Sequence, residues 1–229
     1  MTTAPPGSVA PSGAWPMYRS LGGIGALCGL LIVTVFVATR PVIRRNQAEA
    51  LQRAIFQVLP EARTSATFRA LEGGGFEPVP DGTVGPEEPV VYAGYDEAGR
   101  LVGLAVEAHA MGYQDVIRLL YGYAFDRDAI VGIRVLESRE TPGLGDRIET
   151  DPAFLASLEH LDVTLAADGA ALAHPIELVK SGKREQPWQV DGITGATISS
   201  AAVATALRQS AAVWIPRVRR DLDVFRSPR

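Results

Sequence analysis

The hydrophobic and polar residues follow three different patterns along the chain. From Ser20 to Thr39 there are 20 residues without a charged side chain, and most of them are apolar. A helix of that length rises about 30 Å, which is the thickness of the hydrocarbon layer of a bilayer. Residues 40–60 then carry apolar side chains at three- and four-residue spacing, which predicts an amphipathic helix ended by Pro60. From Val90 onward, short runs of alternating apolar and polar residues predict strands.

These patterns predict an α+β protein with four parts. Residues 1–19 are a disordered leader rich in Pro, Gly, Ser and Thr, and residues 20–39 are a single transmembrane helix. Residues 40–60 form a juxtamembrane helix, which we interpret as a connector. Residues 61–229 form a domain of antiparallel strands with flanking helices, because strands come first and helices follow.

The elements expected within this domain begin with a surface loop. The Gly, Pro, Asp and Glu residues of Glu72–Glu88 predict that loop. Two hairpins follow, residues 90–95 with 101–107 and residues 116–124 with 130–136. Later elements are a short helix capped by Asp151 and running from Pro152 to Leu158, a strand near residues 176–179, and a helix from Thr197 toward Pro216.

The apolar run has one competing interpretation, a cleaved signal peptide. A cut after Ala38 would place the bulky Phe36 where a small residue is needed. The uncleaved membrane anchor is therefore the preferred prediction.

Composition narrows the functional classes. The 229 residues carry a formal net charge of −4, which gives no electrostatic reason to expect a nucleic-acid partner. The single cysteine, Cys28, excludes an intrachain disulfide and a cysteine-based iron–sulfur or zinc site. The three histidines do not lie at ligand spacing, so no metal site is expected.

One stretch near the C-terminus carries candidate chemistry. Residues 191–197 read Asp-Gly-Ile-Thr-Gly-Ala-Thr and are followed by an Ala-rich run with strong helix propensity. A glycine turn that leads into a helix leaves unpaired N–H groups at the helix start, where an anion is held. No Lys precedes the last Thr, so the stretch is not a Walker loop. A plain capping turn before a surface helix is the alternative interpretation.

The pattern Asp-x-x-Thr-Gly-Ala-Thr resembles the flavinylation motif of membrane FMN-binding proteins. That family contains the G subunit of the Rnf ion-translocating oxidoreductase complex and the C subunit of the sodium-pumping NADH:quinone oxidoreductase. The resemblance implies that a flavin transferase links the FMN phosphate to the hydroxyl of Thr197. It also implies that Thr194, Gly195 and Ala196 belong to the cofactor site and that Asp191 belongs to the sequence recognised by the transferase.

Two further stretches resemble the same family. Residues 140–145 read Glu-Thr-Pro-Gly-Leu-Gly, the second signature of the family, which implies that Thr141, Leu144 and Gly145 line the isoalloxazine ring. Residues 112–117 match a family turn except that Asp115 replaces a glycine, so a ring contact, a turn or a core role is open for Tyr113. Residues 137–139 are Glu-Ser-Arg where relatives often carry His, which leaves the local charge open.

Three other residues near the motif are weaker candidates. Lys180 and Lys183 precede Trp188, and their charges would neutralise a phosphate or a flavin carbonyl. Solvated lysines and a core tryptophan are the preferred interpretations, with stacking of Trp188 on the ring as the alternative.

The resemblance implies a one-electron relay in an Rnf-type complex that moves electrons between ferredoxin and NAD and translocates ions. The flavin does the chemistry, so no catalytic residue and no independent turnover are expected. The other membrane subunits, the flavin transferase and the lipid bilayer are the expected partners.

The orientation of the membrane span is a conflict between two arguments. Arg40, Arg44 and Arg45 follow the span, and only Arg19 and the terminal amine precede it, which favours a cytoplasmic domain. The resemblance implies the opposite, with the FMN domain on the periplasmic face of a bacterial inner membrane. We follow the resemblance because the charge bias is small.

Three alternative functions remain open from the sequence. The first is that of the C subunit in the sodium-pumping quinone reductase, which has the same cofactor linkage. The second is a membrane-anchored regulatory FMN-binding module without electron relay. The third is a structural anchor that has lost its cofactor.

Overall fold

The computed structural model describes residues 15–80 and 88–226. Within them the α-helices are α1 (Trp15–Val58), α2 (Pro152–Leu158), α3 (Thr197–Arg220) and α4 (Leu222–Arg226), with a 3₁₀ helix at Gly145–Glu149. The strands are β1 (Thr64–Ala70), β2 (Phe76–Val79), β3 (Val90–Tyr95), β4 (Leu101–Met111), β5 (Val116–Ala124), β6 (Ala129–Glu137), β7 (Leu161–Asp162), β8 (Glu177–Val179) and β9 (Gln189–Asp191). The predicted α+β class is confirmed.

Helix α1 joins the predicted span and the predicted juxtamembrane helix without a break. It is long and apolar enough to cross a membrane, and its N-terminal part is exposed. The helix ends at Val58, two residues before Pro60. Residues 1–14 of the predicted leader lie outside the described residues, and residues 15–19 belong to α1. The chain divides into two compact units between Gln47 and Ala48.

A seven-stranded antiparallel sheet forms the centre of the second unit. Its strand order is β2-β1-β3-β4-β5-β6-β7. Both predicted hairpins are present, as β3 with β4 and β5 with β6. Strands β3 to β6 are therefore neighbours both in the sheet and in the sequence, as is expected for strands joined by short connections.

The predicted surface loop at Glu72–Glu88 is wrong in part, because strand β2 lies within it. The N–H of Gly74 donates to the carbonyl of Leu71 (3.0 Å), which closes a tight turn between β1 and β2. Strand β2 contains Pro78, which has no N–H to donate. A proline is tolerated here because β2 is an edge strand. Residues 81–87 of the predicted loop lie outside the described residues.

The two faces of the sheet bury different layers. One face carries Leu104, Val106, Leu119 and Tyr121, which form the main core with the buried face of α3. The other face buries Ala105 and Leu120 against the C-terminal turns of α1, including Ile55 and Val58. The alternation along β4 and β5 therefore places α3 on one side of the strands and the last turns of α1 on the other.

The later elements include those predicted, and also the 3₁₀ helix, strands β7 and β9 and helix α4, which the sequence did not predict. Helix α2 covers the predicted residues, and the carboxylate of its cap Asp151 accepts from the N–H of Phe154 (3.1 Å). Strand β8 pairs in parallel with β9, a strand that the sequence did not predict. Helix α3 continues past Pro216 to Arg220, where we expected a break.

Buried tyrosines join the terminal helices to the sheet. The Tyr121 hydroxyl lies 3.1 Å from Ser210 Oγ on α3, and the Tyr95 hydroxyl donates to the carbonyl of Phe225 on α4 (2.8 Å). Burial raises the pKa of Tyr95 to about 12. These hydroxyls therefore stay neutral and hydrogen-bonded at physiological pH.

Candidate functional site

The stretch with the candidate acceptor hydroxyl forms a glycine turn that leads directly into α3, as predicted. Gly195 has a φ of 86°, and Thr197 is the first residue of the helix. The N-cap residue is Ala196, which makes no side-chain hydrogen bond to the first N–H groups. Thr194 and Thr197 are both exposed. The site thus presents an accessible hydroxyl at an uncapped helix N-terminus, where an anion is favoured.

Ser200 fixes the shape of this turn. Its Oγ accepts from the N–H of Ile193 (3.2 Å) and donates to the carbonyl of Ala196 (2.9 Å). Ser200 and Ile193 are both buried. The turn before Thr197 is therefore held from within.

Glu140 is the first residue of the second family signature, and it connects that signature to the start of α3 and to the turn at residues 112–117. Its Oε2 accepts from the hydroxyl of Ser199, two residues after Thr197. Its Oε1 accepts from the N–H groups of Tyr113 (2.9 Å) and Gln114 (3.1 Å). The side chain is 6% exposed. Three stretches that are distant in the sequence thus meet at one buried carboxylate.

Glycines allow this close approach. A Cβ on Gly145 would lie 2.6 Å from Glu140 Oε2 and 2.7 Å from Ser199 Oγ. A Cβ on Gly112 would lie 2.5 Å from Glu140 Oε1. A side chain at either position would therefore require the Glu140 carboxylate or its neighbours to move.

The residues expected to line a ring differ in their exposure. Leu144 is 52% exposed, whereas Gly145 is buried between Glu140 and Ser199. Thr141 Oγ1 accepts from Gln114 Nε2 (2.7 Å), which ties the turn at residues 112–115 to the second motif. Tyr113 is 66% exposed, so the core role left open for it is wrong. Leu144 and Tyr113 present apolar surface near the acceptor turn, as a planar ring requires.

Arg147 is a residue of the site that the sequence did not single out. Its guanidinium donates to the carbonyl of Thr194 (3.0 Å) and to the carboxylate of Asp151 (2.6 Å). The positive charge therefore lies at the acceptor turn, three residues before Thr197. The one feature of the sequence that points to Arg147 is its position two residues after Gly145, the last residue of the second motif.

The remaining candidates have local partners. The Asp191 carboxylate accepts from the N–H groups of Gly182 (3.0 Å) and Lys183 (3.3 Å), so it closes a loop beside the motif. Lys180 and Lys183 are exposed. The ring of Trp188 stacks on His174 with centroids 3.8 Å apart, and Trp188 is half-buried. Asp191 therefore has a structural contact, and its part in recognition by the flavin transferase stays a prediction.

A shallow cleft begins beside Thr197 and follows α3. It has a volume of about 440 Å³ and is lined by residues 109–111 of β4 and by Ile198, Ala201, Thr205 and Gln209 of α3. The volume is within the range of ligand pockets. Thr141, Leu144 and Gly145, which the sequence predicts to line the ring, are not among the residues that line this cleft. An exposed hydroxyl, an open helix N-terminus and an adjacent cleft together fit a flavin nucleotide held by its phosphate.

Comparisons with known proteins agree with this geometry. The FMN-binding domain family matches residues 112–212. The chain is 36% identical over 190 residues to the G subunit of the ion-translocating oxidoreductase complex of Methanosarcina acetivorans, covering 82% of this chain and 87% of that protein. It is 28% identical over 208 residues to the G subunit of the Na(+)-translocating ferredoxin:NAD(+) oxidoreductase complex of Acetobacterium woodii, covering 87% of this chain and 93% of the relative.

The fold is similar to that of a solved protein. The crystal structure of Shewanella oneidensis NqrC matches with a TM-score of 0.59 and 19% identity, covering 79% of this chain and 98% of that one. The domain is therefore built on an architecture already seen in a crystal structure.

Proposed function

The chain belongs to the family of G subunits of ion-translocating oxidoreductase complexes, and from that premise we propose that it relays electrons through a covalently bound FMN. The complex is of the Rnf type, moves electrons between ferredoxin and NAD, and couples them to ion translocation. The observation that carries this proposal is the meeting of three motif stretches at Glu140, beside the exposed hydroxyl of Thr197.

Thr197 is the proposed attachment point. Its hydroxyl is exposed at the uncapped start of a 24-residue helix, so the partial charge of the helix favours a phosphodiester there. Arg147 adds a positive charge at the same turn. A flavin transferase would use a flavin dinucleotide as donor: the Thr197 oxygen forms the new P–O bond and loses its proton, the pyrophosphate bond breaks, and a nucleoside monophosphate leaves.

The neighbouring residues hold the rest of the cofactor. Thr194, Gly195 and Ala196 shape the acceptor turn, and Thr141, Leu144 and Gly145 provide the proposed ring contacts. The exposure of the Leu144 side chain supports a ring contact, because its apolar surface is accessible beside Glu140, whose carboxylate is held by Ser199. Asp191 holds the loop beside the motif and is proposed to form part of the surface that the transferase recognises.

Bound FMN supplies the redox chemistry, and the chain supplies attachment, position and local charge. The chain therefore needs no acid–base pair, and we expect no turnover by the isolated protein. Its proposed partners are the other membrane subunits of the complex.

Helix α1 is the proposed membrane anchor. It has the length and the apolar composition of a bilayer span, and its predicted span contains no charged residue. We propose a single-pass topology in the bacterial inner membrane with the FMN domain on the periplasmic face. The excess of arginines after the span argues against this orientation. Labelling of the domain by a membrane-impermeant reagent in intact cells tests it, because only a domain outside the cytoplasm is labelled.

Relatives named as G subunits favour the Rnf-type complex over the quinone reductase. The relative from Methanosarcina acetivorans is 36% identical, whereas the likeness to NqrC is at 19% identity and concerns the fold. The discriminating experiment is to assemble the complex in membranes with wild-type chain, with Thr197→Ala or with Thr197→Ser. Ferredoxin-dependent NAD reduction is expected with the wild type and the serine variant, and its loss is expected with the alanine variant. Wild-type rates with the alanine variant would contradict the relay.

A further inference from the structure

Glu140 is a buried carboxylate whose partners in the described part of the chain are all uncharged. It accepts from two backbone N–H groups and one hydroxyl, and it is 6% exposed. Each of these partners donates, which is the arrangement that an ionised carboxylate requires. The carboxylate is thus held inside the domain by hydrogen bonds, and no ion pair to it occurs among the residues that the structure describes.

The arginines near Glu140 are paired with other acids. Arg139 pairs with Asp115 (3.0 Å), and Arg147 pairs with Asp151 (2.6 Å). On the other side of residues 141–145, Asp146 Oδ1 is buried and has no hydrogen-bond partner among the described residues. The proposed ring-lining segment is therefore bracketed by two carboxylates. Arg139 and Arg147 each pair with another acid, and Arg147 also donates to the carbonyl of Thr194, so its charge lies at the phosphate end of the proposed site.

Packing and hydrogen bonding do not require a charge at position 140. A glutamine would accept from both N–H groups through its oxygen and donate from its amide to Ser199 Oγ. Burying a carboxylate is more costly in free energy than burying an amide of the same shape. A role that needs the negative charge itself accounts for this extra cost.

We propose that the buried charge of Glu140 lowers the reduction potential of the flavin held beside residues 141–145. This inference rests on the proposed function. A negative charge opposes the arrival of an electron, and the opposition is strong where little water screens it. Glu140 therefore acts as a positioning residue through its contacts and as a tuning residue through its charge.

Full-length chain is co-expressed with a flavin transferase, and the midpoint potential of its flavin is measured by spectroelectrochemistry. Glu140→Gln retains the contacts and removes the charge, so its potential is expected to shift in the positive direction. Ser199→Ala is the matched control, because it removes one hydrogen bond and keeps the charge; its potential is expected not to rise. Equal potentials in the wild type and Glu140→Gln would overturn the inference.

A second pair of variants applies if Glu140→Gln does not fold. Gln114 has an exposed side chain, and its contact with Glu140 is through the backbone N–H. Both variants lose the hydrogen bond from the Gln114 amide to Thr141 Oγ1, so the comparison is between the two variants, which differ in the sign of the new charge. Gln114→Lys is expected to raise the potential and Gln114→Glu to lower it; unchanged potentials in both would overturn the inference. A wild-type chain without flavin would instead overturn the proposed function and this inference with it.

Discussion

Replacing Gly145 by alanine tests the close packing of the second motif against α3. The new Cβ would lie 2.6 Å from Glu140 Oε2, about 0.8 Å inside the 3.4 Å at which ordinary contact begins. Glu140 and Ser199 are 6% and 2% exposed, and moving either side chain away would break the hydrogen bond between them. Overpacking costs about 1–3 kcal/mol, and a lost hydrogen bond to a charged group adds about 1.5–3 kcal/mol. We expect Gly145→Ala to lower the free energy of unfolding by about 2–4 kcal/mol, with part of the strain relieved by backbone shifts.

The assay is denaturant unfolding of the full-length chain in detergent, followed by tryptophan fluorescence. Gly132→Ala is the control, because a Cβ on Gly132 meets nothing within 4 Å and Gly132 lies in strand β6. Alanine is favoured over glycine by roughly 0.5–1 kcal/mol within a regular element, so this control should be neutral or slightly stabilised. Equal midpoints for the two variants would refute the packing described around Glu140.

Two further predictions concern the C-terminal helix. Phe225→Ala should cost about 3–5 kcal/mol in unfolding free energy, because the Phe225 ring is fully buried with centroids 4.9 Å from Phe68 and 4.8 Å from Phe76; wild-type stability would mean that α4 does not pack there. Burial raises the pKa of Tyr95 from 10.0 to about 12, so the folded chain holds that proton more tightly than the unfolded chain. Stability from this group is complete below pH 10 and lost as the pH rises toward 12, and Tyr95→Phe should remove this share of the pH dependence of unfolding; an unchanged dependence would contradict it.

The parts of the fold that the sequence predicted are those with strong local signals. The alternation in β3 to β6 divides the residues of each strand between the core shared with α3 and the core shared with α1, and the Asp151-Pro152 pair sets the start of α2. Strands β2, β7 and β9 are four, two and three residues long, which is too short for a periodic pattern. Strand β1 has seven residues and was also not predicted, although Ala66, Phe68 and Ala70 alternate with polar residues. The short strands depend on their neighbours. Strands β2 and β9 are defined by their pairing with β1 and β8, and this pairing depends on the tertiary structure.

In the candidate site, too, some residues could be predicted from local motifs, whereas others depend on the tertiary structure. Thr197 and the residues 140–145 were identified from two short motifs, and the predicted turn into a helix is present. The hydrogen bond between Ser199 and Glu140 joins residues 59 positions apart, so no local pattern predicts it. The place of Arg147 at the carbonyl of Thr194 likewise depends on how the 3₁₀ helix packs beside α3.

The most direct test of covalent attachment is the intact mass of the chain after co-expression with a flavin transferase, together with flavin fluorescence after denaturation. Wild type and Thr197→Ser keep a hydroxyl at the acceptor position, whereas Thr197→Ala does not. We expect one FMN on the wild type that survives denaturation and none on Thr197→Ala. Flavin on the alanine variant, or no flavin on the wild type, would contradict attachment through Thr197.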